Sequence, residues 1–332
     1  MEAFLKKAYS TIKLSMPYKI TSKPFGNQGD MSTSTSKSIW DNSAEQYQKG
    51  GFKVYWELLS EVEKYQMRKI TGDENLHFFW HTLDYIKKNI GEKNLKGISL
   101  GCSEGDPGIE MRLVESGIFD KVTVMDIAQG LLEKQRTIAS RRGLKGIEYI
   151  NQDLNKVVLE KNTYDLIWAV GTIHHTEDLE SLFEQINSAL KHNGIFMMRE
   201  YIGPNYLQFT DLQLSLVNKM LAILPEKYRR THDGIVKKTM EKVDLIQLRA
   251  LDPSEAIRSE DIITVIKEKL RIINLAYTGG TLLHPLLDGI ASNFERGEDA
   301  EAILKLMIFF EESLIENKII PSDYVFCMAM KK

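Results

Sequence analysis

The chain is predicted to be an α/β protein: a mostly parallel sheet with helices on both faces, and an added helical cap. One stretch, residues 97–126, carries most of that prediction. Gly97-Ile98-Ser99-Leu100-Gly101-Cys102-Ser103-Glu104-Gly105-Asp106-Pro107-Gly108 runs from a short apolar segment into a glycine-rich turn, and Lys121-Val122-Thr123-Val124-Met125-Asp126 is a second β-branched run that ends on an acid. Strand, glycine turn, helix, strand and acid is a βαβ layout. Strand-like and helix-like segments then keep alternating as far as Tyr201, which predicts parallel strands with right-handed crossovers. After Pro204 the pattern changes to amphipathic helical segments, read as an insertion over the strand ends.

In order, the strands are expected at residues 98–100, 122–126, 147–150, 165–170, 195–198, 270–277 and 324–330. In the first crossover, Asp106 is expected as N-cap and Pro107 at the first helical position, with Gly117 closing the helix. The next helix, over 131–142, ends at Gly143, and Gly194 supplies the stop for the helix carrying Leu179, Leu182, Phe183, Ile186 and Leu190. In the cap, Leu212, Leu216, Met220 and Leu221 fall on one helix, Val236, Met240, Val243 and Ile246 on another. Helical patterns return over 282–294 and 300–315. Domain organisation follows: an N-terminal arm (1–38), a helical lid (39–95), a ligand-binding core (96–204), a helical cap insertion (205–269) and the end of the sheet with a helical insertion (270–332).

Composition excludes several classes. With 43 Lys and Arg against 46 Asp and Glu, the net charge of −3 gives no footprint for nucleic acid, and no basic tract or stacking motif is visible. No apolar run reaches membrane-span length, and Lys6 and Lys7 are not followed by a signal-peptide core, so neither membrane insertion nor secretion is expected. Cys102 and Cys327, the only two cysteines, suggest neither disulfides nor a metal site, and a reducing cytoplasm is the expected location. A homo-oligomer is left open.

The glycine turn narrows the ligand. A dinucleotide lays its pyrophosphate on free N–H groups at a helix start. Here Glu104 and Asp106 put negative charge at that point and Pro107 removes a donor. The turn therefore suits a ligand that lacks phosphate and carries positive charge, as S-adenosylmethionine does. Leu100-Gly101-Cys102-Ser103-Glu104-Gly105 also resembles the first motif of class I S-adenosylmethionine-dependent methyltransferases. There are two departures: Ser103 stands where the family has a middle glycine, and Ser99 where it often has an acid. The resemblance covers Lys96 to Glu200 well and the rest weakly. It implies a Rossmann-like sheet, S-adenosylmethionine as cofactor and S-adenosylhomocysteine as product.

The resemblance also assigns residues. Gly101, Cys102, Ser103 and Gly105 form the cofactor loop. Asp126 takes the ribose hydroxyls, a task that suits a carboxylate accepting two hydrogen bonds. Asp153 accepts from the adenine amino group, Ile127 and Leu154 press on the adenine faces, and Ala169 lies at the fourth strand exit. Trp40 and Tyr47, in Trp40-Asp41 and Ala44-Glu45-Gln46-Tyr47, look like the lid that closes over the cofactor in this family.

Thr172-Ile173-His174-His175 follows the fourth strand. Transfer to a hydroxyl needs the proton removed as oxygen attacks, and imidazole suits that task. Sugar O-methyltransferases have a similar His-His pair here with an acid at the next strand exit, which implies His174, His175 and Glu200 as the catalytic set. Arg199-Glu200-Tyr201-Ile202-Gly203-Pro204 and the helical tail are similar to methyltransferases of bacterial surface-polysaccharide synthesis. The expected acceptor is a small molecule, a sugar or glycan precursor. Competing readings are carbon or nitrogen methylation of a small metabolite, where one histidine only braces the loop, and a cofactor-binding module without catalysis. No metal is expected, because adjacent histidines on an extended loop point apart and no partner lies nearby. His284 is expected to be structural, and Arg199 and Arg258 to form surface ion pairs.

Overall fold

The structure is a computed structural model and describes residues 54–332. The arm, Trp40 and Tyr47 lie outside the described residues.

Seven strands form one sheet in the order β3-β2-β1-β4-β5-β7-β6. They are β1 (Leu95–Leu100), β2 (Phe119–Asp126), β3 (Ile147–Asn151), β4 (Tyr164–Val170), β5 (Leu190–Tyr201), β6 (Leu270–Gly279) and β7 (Tyr324–Lys331). All neighbours pair in parallel except β7, which runs antiparallel to β5 and β6. This is the expected α/β sheet. Its chain order reverses direction between β1 and β4, where a doubly wound sheet opens a crevice at its carboxyl edge.

The central strands are apolar throughout because both faces are covered. Along β4, Ile167 and Ala169 face α5 (Leu179–Ala189) and α9 (Ile262–Lys269), while Leu166 and Trp168 face α2 (Phe78–Asn89), which contributes Phe78, Phe79, Leu83 and Ile86. Successive side chains of a strand point to opposite faces, so a single strand serves both cores. α3 (Ile109–Glu115) and α4 (Gln129–Arg141) complete the crossovers through β2 and β3.

A separate apolar core holds the cap. It joins Trp56, Leu59 and Val62, near and within α1 (Ser60–Thr71), to α6 (Asp211–Ile223), α10 (Leu283–Leu287) and α11 (Glu298–Glu316). Two short helices, α7 (Glu226–Arg229) and α8 (Leu245–Leu251), finish the insertion. No helix among the described residues is long and apolar enough to cross a membrane.

Three local expectations fail for physical reasons. α3 starts at Ile109, not at Pro107, and Gly108 precedes it without a side-chain cap. The Ile109 N–H instead donates to Ser103 Oγ at 2.9 Å, so a hydroxyl from within the glycine turn does the capping. Asp106 points to solvent and pairs with Arg142 at 3.3 Å. Gly194 lies inside β5 rather than ending α5. A Cβ there would come within 2.6 Å of the Tyr164 carbonyl, so close strand approach is what calls for glycine. Residues 236–243 are not helical. Their backbone is bonded from outside: the Asn218 side chain meets the Met240 N–H and carbonyl, and Gln208 donates to the Val243 carbonyl at 3.0 Å. Tertiary partners thus override the apolar spacing. Only α8, capped by Asp244, forms in that region.

Candidate active site

A cavity of about 260 Å³ opens at the carboxyl ends of β1, β2, β4 and β5. Gly101 has φ +94°, and a Cβ on it would lie 2.1 Å from Thr172 Oγ1, so both conformation and space require glycine there. The Cys102 N–H donates to Asp126 Oδ2 and the Ala128 N–H to Asp126 Oδ1, each at 2.7 Å. The strand-end acid thereby holds the glycine turn while its carboxylate still lines the cavity. Ser103 donates to Glu110 at 3.4 Å and caps α3. A serine in place of the family's glycine therefore has a structural task.

Gly101, Cys102, Ser103, Gly105, Asp126, Ile127, Asp153 and Leu154 all border the cavity. Asp153 also caps the turn after β3, accepting from the Asn155 N–H at 2.9 Å. Ala169 is a correction. It is fully buried on the α5 face, and its neighbours Trp168 and Val170 reach the cavity in its stead, as strand alternation dictates. Ser99 borders the cavity too, but its hydroxyl is turned to the Gly101 carbonyl at 2.8 Å.

At the β4–β5 end, Glu200 is buried and accepts three N–H groups: Thr172 and Ile173 of the backbone and Nδ1 of His174, each at 2.6 Å. His174 is fully buried behind the wall. His175 reaches the cavity, and its Nδ1 lies 3.1 Å from Ser254 Oγ. The Ser254 hydroxyl donates in turn to Asp252 at 2.7 Å. A carboxylate only accepts, so His174 Nδ1 is the donor to Glu200, and His175 Nδ1 faces the Ser254 hydroxyl oxygen. The histidines do not point apart: they sit on a single 3-10 turn, with ring centroids 4.2 Å apart and planes tilted by 41°. Burial, and His174 beside it, hold His175 down at about 4, so its ring is neutral at neutral pH. Burial pushes the Glu255 carboxyl up to about 8.

Other wall residues were not singled out from the sequence. Tyr55, Glu57 and Tyr324 border the cavity with Arg199 and Tyr201. Arg199 is no surface residue. It is buried, bonded to Glu57 and Gln66, and lies over the Phe78 ring at 5.5 Å. Arg258 does pair in the expected manner, with Glu180 and Asp261. His284 is structural: it is buried, stacked on Trp56 and bonded to the Tyr324 hydroxyl at 3.2 Å. Ser254 was not singled out either, since nothing local shows that the Asp252-Pro253-Ser254 turn meets His175 across 79 positions of chain.

Residues 98–198 match a family model described as a methyltransferase domain. Over 131 residues the chain is 26% identical to a sterol 24-C-methyltransferase of Gibberella zeae, covering 39% of this chain and 34% of that protein. Over 134 residues it is 24% identical to N-terminal Xaa-Pro-Lys N-methyltransferase 1 of Xenopus tropicalis, covering 40% of this chain and 59% of that protein. The alignments thus span about a third of the first relative and under two thirds of the second. Among solved structures, it is similar to geranyl diphosphate C-methyltransferase from Streptomyces coelicolor, with TM-score 0.46, 11% identity, and coverage of 90% of this chain and 99% of that one. The domain match falls on the strands that carry the glycine turn and the strand-end acid, the stretch in which the sequence resembles the class I S-adenosylmethionine-dependent methyltransferases.

Proposed function

We propose that this protein methylates a hydroxyl of a small acceptor, a sugar or glycan precursor. The observation that carries the reading is His175, which borders the cavity while Ser254 holds its Nδ1. S-adenosylmethionine supplies an electrophilic methyl on a sulfonium. For its adenosine, Asp126 is the ribose acceptor, and Ile127, Asp153 and Leu154 form the adenine wall. Each Asp126 oxygen is fixed by one backbone N–H at the cavity wall, which fits that role. Ser99 offers no charge for the methionine ammonium, and Glu57, a cavity-lining carboxylate balanced by Arg199, is the replacement.

His175 takes the acceptor proton at Nε2. Glu200 and His174 are positioning residues: their bond, with the two backbone N–H groups on Glu200, fixes the turn that aims His175. Tyr55, Tyr201 and Tyr324 give the cavity an aromatic wall that suits the apolar face of a sugar ring. A second reading, transfer to carbon or nitrogen, is favoured by the printed activities of the sterol and N-terminal methyltransferase relatives. The experiment is an acceptor screen with purified protein, reading S-adenosylhomocysteine and the position of an isotope-labelled methyl. Label on oxygen supports the first reading, and label on carbon or nitrogen replaces it with the second. Cofactor binding without product across the screen leaves a binding module.

A further inference from the structure

We propose that His174, His175 and Glu255 form a binding site for one divalent first-row transition metal ion. One ring nitrogen of His174, one of His175 and a carboxylate oxygen of Glu255 lie within 4.8 Å of one another. Glu255 Oε1 is 3.9 Å from His174 Nε2, and Glu255 Oε2 is 3.7 Å from His175 Nε2. Both separations exceed a hydrogen bond.

The tautomers make the gap informative. His174 donates its Nδ1 proton to Glu200, and His175 Nδ1 faces Ser254, whose hydroxyl proton is committed to Asp252. Neither ring meets the Glu255 carboxyl in a hydrogen bond, although all three groups face one point. His174 Nε2 is fully buried and has no hydrogen-bond partner, an expensive state for a polar atom. A cation at the centre satisfies all three groups at once.

The surroundings are those of a supported metal site. Ligating histidines usually bond their second nitrogen to a carboxylate or another fixed acceptor, which sets tautomer and ring orientation. Glu200 does this for His174, and the Ser254–Asp252 pair does it for His175. The Glu255 turn is tied to the histidine turn by the Ile257 N–H, which donates to the His174 carbonyl at 3.2 Å. Two imidazoles and one carboxylate suit zinc and its first-row neighbours, whereas magnesium and calcium favour oxygen ligands. Zinc bonds to nitrogen and oxygen are about 2.0–2.2 Å, so the three groups must draw inward on binding. Since His175 borders the cavity, the remaining coordination position is open to a cavity ligand. The site stands on this geometry and not on the methyl-transfer reading. An ion on His175 Nε2 displaces the proton acceptor proposed above, so the two uses of that atom are exclusive.

The test is a titration of chelator-stripped, full-length protein with zinc against a chromophoric competitor, paired with the visible spectrum of the cobalt-loaded protein. One equivalent should bind, with a cobalt spectrum of low-coordinate nitrogen and oxygen ligation. Glu255→Gln and His174→Ala should each weaken zinc at least about tenfold, and Ser254→Ala by about 10–100-fold, the range for supporting residues. Retained thermal stabilisation by S-adenosylmethionine shows that a variant is folded. Where a variant does not fold, the cobalt spectrum and stoichiometry of the unsubstituted protein decide. The proposal is overturned if that protein binds no stoichiometric ion, or if folded variants bind zinc as it does. S-adenosylhomocysteine formation by the stripped protein is read in parallel. Turnover without any metal binding removes this site alone, and metal binding without turnover in either form removes the methyl-transfer reading alone.

Discussion

The Glu200 carboxylate and the His174 imidazole are joined at 2.6 Å with both side chains fully out of solvent. Glu200 is the hub of the turn after β4, because it also takes the Thr172 and Ile173 N–H groups. Glu200→Gln keeps the shape but replaces one acceptor oxygen with a donor facing other donors. Stability should fall by about 1–3 kcal/mol, the cost of leaving buried polar groups unpaired. Denaturant midpoints check this, and an unchanged midpoint would show that the hub is dispensable.

Gly101→Ala should abolish cofactor binding. The added carbon meets Thr172 Oγ1, and a positive φ disfavours any side chain. The double variant Gly101→Ala with Thr172→Ala relieves the contact but not the backbone strain, and should recover binding only in part. Calorimetry with S-adenosylmethionine separates the two causes. Near-native affinity in the single variant would remove the turn from the site.

Asp126→Ala should weaken S-adenosylmethionine by about 1–3 kcal/mol, since ribose loses a charged acceptor. Asp126→Asn retains one acceptor for the Cys102 and Ala128 N–H groups and should lose less. Equal affinity in all three folded proteins would exclude the ribose role.

Stability should depend on pH through His284. Burial among aromatic rings lowers it to about 4, while an unfolded histidine titrates near 6.5. As pH falls below about 6.5 the unfolded chain takes up a proton that the folded chain refuses, so the native state loses stability until about pH 4. One such group contributes up to about 1.4 kcal/mol per pH unit, about 3 kcal/mol over the window. His284→Gln should flatten the profile of urea midpoints there, leaving the parts due to His175, held at about 4, and His77, which burial lowers to about 3. A variant profile parallel to the unsubstituted one would contradict this.

The sheet was legible because its strands are short apolar or β-branched runs punctuated by glycine, and local spacing sets them. The glycine turn and the strand-end acid were legible for the same reason, because both need only sequence order. Ala169 misled because strand periodicity decides which neighbour faces the cavity, and the register of β4 is a tertiary property. The helix expected over 236–246 failed because Asn218 and Gln208 claim that backbone from elsewhere. Ser254 and Glu255 escaped notice since nothing local ties them to His174 and His175. The cap brings them there only after the chain has crossed β5 and most of the insertion.

Turnover of metal-free His175→Ala, beside His174→Ala and the unsubstituted protein, tests the central claim most directly. General-base assistance is worth about 10²–10⁴-fold. The account predicts that His175→Ala loses kcat by that order with S-adenosylmethionine affinity unchanged, and that His174→Ala loses less and in step with its stability. Near-wild-type turnover in folded His175→Ala would contradict it.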